Sequence, residues 1–290
     1  MRAPRRPRRA LGAFTTLAAA LIAFTLAAPS DRAMIVPLVG ALVPGSYESV
    51  AGAPPPEMAR AVTAVLAATL GVAPPPYLTL RVYGSRAALE RGLVHDGGLS
   101  PLAASELSTS AIGVALPRTV MLLDDGVDGD RVRLLAHETM HVLQLELAGT
   151  GRPAQWLMEG SAEWAAFTVL ERLGGAGVDE RRRRAREVTR TYLAADAAFS
   201  PAGVQRPADF RRWQRAVGDL VAYQVAYTLA NELADRAGAR AFVVYFRALG
   251  EGTNHAAAFE RAFALTPDAF IAAVRASLAG AASRAVIEPG

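Results

Sequence analysis

The chain has 290 residues and no cysteine, so neither a disulfide framework nor a thiolate metal site is open to it. Any metal must be held by histidine and carboxylate. Lysine is absent too: every basic side chain is arginine, a compositional bias to which no function attaches. Acidic residues are missing ahead of Asp31, where Arg2, Arg5, Arg6, Arg8 and Arg9 crowd together. These five arginines account for more than the whole formal charge of +4. The rest of the chain is nearly neutral, which argues against nucleic acid as a partner, since that needs a clustered basic face on the folded domain. No repeat of fixed period is visible.

What is present is a globular balance, 52% hydrophobic and 20% charged, behind an unusual N-terminus. After the arginines, Ala10 to Ala28 is uncharged and apolar, the layout of a secretory signal. At about 19 residues it approaches a bilayer span, so residues 1–33 read equally well as a cleaved signal peptide or as an anchor that would make the membrane a partner. Either outcome places the remainder outside the cytoplasm, because the positive flank stays inside. Residues 34–56, interrupted by proline and glycine, read as an extended linker; the folded domain is expected over 57–280, with 281–290 as a tail.

Within that domain the apolar spacing predicts a helix over Glu57 to Leu70, stopped by Gly71, then a strand over Tyr77 to Tyr83 and a short helix over Ser85 to Arg91. His95 falls in a glycine-rich loop. Two short strands, Ala111 to Leu116 and Thr119 to Leu123, precede an acidic turn from Asp124 to Asp130, with Asp130 placed as the N-cap of a helix over Arg131 to Ala148. Pro153 opens the next helix, which ends at Gly174 and Gly175. The arginine-rich helix Asp179 to Ala195 follows, and its block Arg181 to Arg184 reads as a solvated face. Helices over Phe210 to Val217, Asp219 to Ala237, Arg240 to Leu249, His255 to Ala264 and Pro267 to Leu278 complete the pattern. The class is α+β, with a small N-terminal mixed sheet and a mainly helical C-terminal half.

Chemistry concentrates in Leu134 to Gln144, LLAHETMHVLQ, an H-E-x-x-H arrangement. On a helix His137 and His141 stand one turn apart on one face and can offer two imidazole nitrogens to a single tetrahedral ion. Glu138 lies beside that face, placed to take a proton from a water the metal activates. A third ligand is needed. A third histidine at position 147, after glycine at 144, is ruled out by Gln144 and Leu147. Glu146 is rotated off the histidine face, which leaves a glutamate on a following helix; Glu159, within WLMEGSAEW, is the natural candidate.

These two motifs together resemble the gluzincin metallopeptidases, in particular the peptidase-MA-like and aminopeptidase N-like groups, over roughly Tyr77 to Leu278. In that family H-E-x-x-H is joined to a downstream W-L-x-E-G-x-A element, here Trp156 to Ala162, whose glutamate is the third zinc ligand. The interval is one residue shorter than in the aminopeptidases. The resemblance implies a zincin-like catalytic domain and a zinc-dependent peptidase acting on peptide or protein, with Zn²⁺ on His137, His141 and Glu159 and Glu138 as general base. It further implies that Glu163, by likeness to the E-x-x-x-D element of thermolysin-like enzymes, accepts a hydrogen bond from a zinc-bound histidine. Within LVAYQVAYTLAN, Tyr223 matches the tyrosine that stabilises the tetrahedral intermediate, and Tyr227 lies one turn later. The small sheet would bind substrate backbone along its edge strand. No Gly-x-Met-Glu-Asn element precedes the zinc motif, so exopeptidase activity has no support and an endopeptidase is expected. The competing expectation is a membrane-anchored binding or scaffold protein whose zinc site is structural or inactive.

Overall fold

The computed structural model describes residues 32–38, 45–124 and 130–285, with side chains from 33 to 280 within those ranges. The apolar N-terminal segment read as a signal peptide or anchor, part of the stretch read as a linker, most of the acidic turn before Asp130 and the end of the chain beyond 285 lie outside the described residues. The architecture is α+β: a four-stranded mixed sheet near the N-terminal side, then helices. The strands are β1 (Arg32–Pro37), β2 (Tyr77–Tyr83), β3 (Gly113–Leu116) and β4 (Thr119–Leu123), in the spatial order β1, β2, β4, β3.

β1 and a short helix, α1 (Tyr47–Ala51), fall in stretches that the sequence presents as leader and linker. All six residues of β1 pair antiparallel with β2, from Arg32 opposite Val82 to Pro37 opposite Tyr77, so the sheet begins earlier than its sequence signal. β2 and β4 are parallel and therefore need a crossover, which α3 (Arg86–His95) and α4 (Pro101–Ser110) supply. His95 closes α3 and does not sit in a loop. β3 and β4 form an antiparallel hairpin whose two-residue turn, Pro117 and Arg118, holds Arg118 at φ 53°.

Strand alternation assigns each face of the sheet to a different core. Leu78, Leu80, Val120 and Leu122 face the main core under α2 (Pro55–Leu70), whereas Tyr83, Met121 and Leu123 turn toward Leu89 and Leu93 of α3. The strand order leaves β3 as a half-buried edge beside α5 (Arg131–Ala148). Asp130 caps α5 through its side chain, which accepts from the Arg133 backbone N–H at 3.0 Å, and Gly149 ends it at φ 53°.

Beyond α5 the chain is helical: α6 (Gln155–Arg172), α7 (Val178–Ala195), α8 (Pro207–Val217), α9 (Asp219–Ala237), α10 (Arg240–Gly250), α11 (His255–Phe263) and α12 (Pro267–Ala285), with a short 3₁₀ turn at Pro201–Val204. Trp156 at the head of α6 is fully buried between Phe259 of α11 and Phe270 of α12, with ring centroids 6.3 and 6.4 Å away. Truncating it to alanine would cost about 3–5 kcal/mol. Gly160 lets α6 and α9 approach closely, since a Cβ there would fall 2.2 Å from the Ala226 carbonyl oxygen. Among the described residues no single helix is long and apolar enough to cross a membrane.

Candidate metal centre

Helix α5 presents His137 and His141 one turn apart, and α6 brings Glu159 opposite them. The two Nε2 atoms are 3.1 Å apart, and Glu159 Oε2 lies 3.5 Å from the first and 3.6 Å from the second. Ligands about 2.05 Å from a tetrahedral ion are separated by about 3.3 Å, so the three donor atoms already mark out one face of such a site. His137, His141 and Glu159 can hold a metal ion.

The remaining polar atoms of these ligands are engaged elsewhere, which fixes where the free lone pairs point. His137 Nδ1 is 3.2 Å from Glu163 Oε2, one turn beyond Glu159 on α6. Glu163 in turn accepts from Arg133 at 2.7 and 2.9 Å. His141 Nδ1 is 2.7 Å from Gln144 Oε1, and Gln144 Nε2 donates to the Met158 carbonyl at 3.0 Å and to Ser161 Oγ at 2.9 Å. The carboxylate and amide oxygens beside the two Nδ1 atoms suit Nδ1–H donors, the tautomer that turns both Nε2 atoms to Glu159 as acceptors. Gln155 donates to Glu159 Oε1 at 2.7 Å and leaves Oε2 for the shared point. The sequence motifs point to Glu159 and Glu163; Gln144, buried in the structure, is signalled in the sequence only by its spacing of three from His141.

The electrostatics agree with a place for a cation. Burial lowers the proton affinity of His137, yet hydrogen bonds to Glu159 and Glu163 and the charge of Glu138 outweigh it and raise the pKa to about 10. His141 is raised in the same way: burial opposes, and Glu159 prevails. Burial pushes the Glu159 carboxyl up, but His141 and His137 hold it well below the usual carboxylate range. Three carboxylates around two imidazoles thus favour positive charge at this point.

Glu138 is buried, and burial raises its pKa against the pull of His137 and His141. It occupies space left open by β3: a Cβ on Gly113 would lie 2.5 Å from Glu138 Oε1. The centre opens onto a cavity of about 610 Å³. One wall is the end of α4 and the edge strand β3, the floor is α5 and α6, and the far wall is α8 with the start of α9. Tyr223 lines this cavity, its ring 6.2 Å from that of His137, and burial together with Glu159, Glu138 and Glu163 raises its pKa. Tyr227 does not line it; it packs edge-on against Phe167 at 4.5 Å. Arg182 lies beside the Tyr227 hydroxyl and draws its pKa down, against the larger effect of burial, although no pair of their atoms has hydrogen-bond geometry. His95 is not part of the cluster.

Comparison of the chain with models of known protein families, with curated proteins and with solved structures finds no match, so the site rests on its own geometry.

Proposed function

We propose that this protein is a zinc-dependent peptidase that hydrolyses internal peptide bonds of proteins or peptides outside the cytoplasm. The observation that carries the reading is the His137, His141 and Glu159 triad facing a cavity of about 610 Å³ with a carboxylate, Glu138, at its side. Two imidazoles and one carboxylate, without thiolate, suit Zn²⁺, and a three-residue set leaves a position open for chemistry. Bound there, zinc supplies Lewis acidity that lowers the pKa of water and polarises a peptide carbonyl.

The chain's own residues do the rest. Glu138 takes the proton of the attacking water and returns it to the departing amine; its burial, by raising its proton affinity, strengthens it as a base. Tyr223 keeps its hydroxyl proton throughout the physiological range and donates to the carbonyl oxygen as that atom gains charge. The free edge of β3, running along the same cavity, offers backbone groups to an extended substrate. Glu163 and Gln144 hold the two imidazoles in the tautomer that leaves Nε2 free.

The test is metal analysis joined to a peptide-library digest of wild type and Glu138→Gln. Wild type is expected to carry near-stoichiometric zinc and to cleave. Glu138→Gln is expected to keep zinc and lose about 10²–10⁴-fold in rate. Wild-type cleavage by Glu138→Gln would sink the proposal, as would a zinc-loaded wild type that cleaves nothing.

A further inference from the structure

The arginine block on α7 divides its work among its members. Arg182 is tied to Glu171 by hydrogen bonds of 2.6 and 2.7 Å, and Arg183 is tied to Glu180. Arg181 and Arg184, three residues apart and so neighbours on one helix face, instead line a second cavity of about 310 Å³. This cavity and the metal cleft have Arg133, Glu163, Leu220 and Tyr223 in common. A group seated in it therefore lies next to the tyrosine and to the carboxylate that orients His137.

The charges in its wall favour an anion. Of the two acidic residues there, Glu163 is held by Arg133 and His137, and Asp130 caps α5 while accepting from Tyr47 at 3.2 Å and from Arg181 at 3.5 Å. Arg184 has no ion pair or hydrogen bond among the described residues, and Arg181 has donors to spare beyond its single long contact. Phe167, Ala185 and Leu220 supply the apolar remainder, a surface for a short aliphatic stem.

We infer that the second cavity is a recognition pocket for a carboxylate borne by the substrate, gripped by Arg184 and Arg181 while the neighbouring peptide bond lies across Glu138 and Tyr223. The inference rests on the reading of the metal centre as a peptidase site and names its substrate class: peptides with an acidic group at one fixed position from the cleaved bond. The carboxylate is either an Asp or Glu side chain or the free C-terminus of the substrate. Guanidinium and carboxylate pair by charge-assisted hydrogen bonds, which makes the neutral amide a much poorer occupant.

The test uses zinc-loaded protein and matched fluorogenic peptides: Glu against Gln at each position, and free acid against amide at the C-terminus. Wild type should prefer the acidic member of one such pair by about tenfold in kcat/KM, and the pair that responds identifies the source. Arg184→Ala should collapse that ratio, Arg184→Glu should invert it, and Arg183→Ala, outside the cavity, should preserve it. Equal cleavage of both members by wild type, or an equal loss on both in Arg184→Ala, would overturn the inference. If no peptide is cleaved, the peptidase reading has failed separately. Fluorescence anisotropy of the labelled pairs on Glu138→Gln then decides whether the pocket selects the carboxylate, with unchanged binding in Arg184→Glu counting against it.

Discussion

His137 and His255 are both withdrawn from water, and the protein drives them in opposite directions. His255 opens α11 with its Nδ1 2.7 Å from the Tyr245 hydroxyl, which itself accepts from the Ala154 backbone N–H. With no charge to offset burial, its pKa falls. His137 is more deeply buried, yet its proton affinity rises because Glu159, Glu163 and Glu138 surround it. Burial alone therefore marks a packed histidine. A ring of carboxylates that burial should have expelled marks a site built to hold a cation.

The sharpest way to break the contrast is to remove one carboxylate. Glu163→Ala leaves Arg133 without its ion pair and His137 Nδ1 without an acceptor. Zinc affinity should fall about 10–100-fold in competition with a chromophoric chelator. Stability in urea should fall by about 3 kcal/mol, because a mostly buried pair is left half made. Unchanged zinc affinity would show that the orientation of His137 does not depend on Glu163.

A smaller effect is expected at the other imidazole. Gln144→Leu removes the acceptor for His141 and the two donations to α6, and should weaken zinc binding about tenfold and stability by about 1–2 kcal/mol. Gln144→Glu keeps an acceptor for His141 and should recover most of the affinity; equal loss in both variants would assign Gln144 to packing alone.

His255→Phe gives the smallest change, within about 1 kcal/mol near neutral pH, since one hydrogen bond is lost and a buried Nε2 without a partner is removed with it. Its pH signature is sharper than its size. The unfolded chain takes up a proton on His255 near pH 6.5, and the folded chain resists it. The contribution is thus present above that pH and is lost as pH falls through the lower folded value. Thermal melts should show wild type losing stability faster than His255→Phe below pH 6.5; parallel curves would contradict the lowered pKa.

How much of this was legible depended on whether the cause was local. The bounds of α5 and α9, the Asp130 cap and the Gly149 stop were readable because spacing and capping chemistry act within a turn or two. β1 was not, because Arg32–Pro37 is a strand only through its pairing with β2, 40 to 50 residues away, and its proline-bounded sequence carries no independent signal. α4 escaped for a related reason: it buries only Ala104 and Ser108, too little for an apolar period. At the site, the two histidines and Glu159 stood out as motif residues. The choice between Tyr223 and Tyr227 as the residue facing the metal cleft came only from the packing of α9 on α6.

Gly113 gives the centre a boundary condition of another sort. The volume that a β-carbon would take at that point of β3 is the volume in which the Glu138 carboxylate sits. Strand and carboxylate compete for one methyl-sized space, and glycine concedes it. The freedom of Glu138 to hold a proton in this cleft is thus set from outside its own helix, by an atom that the neighbouring strand does without.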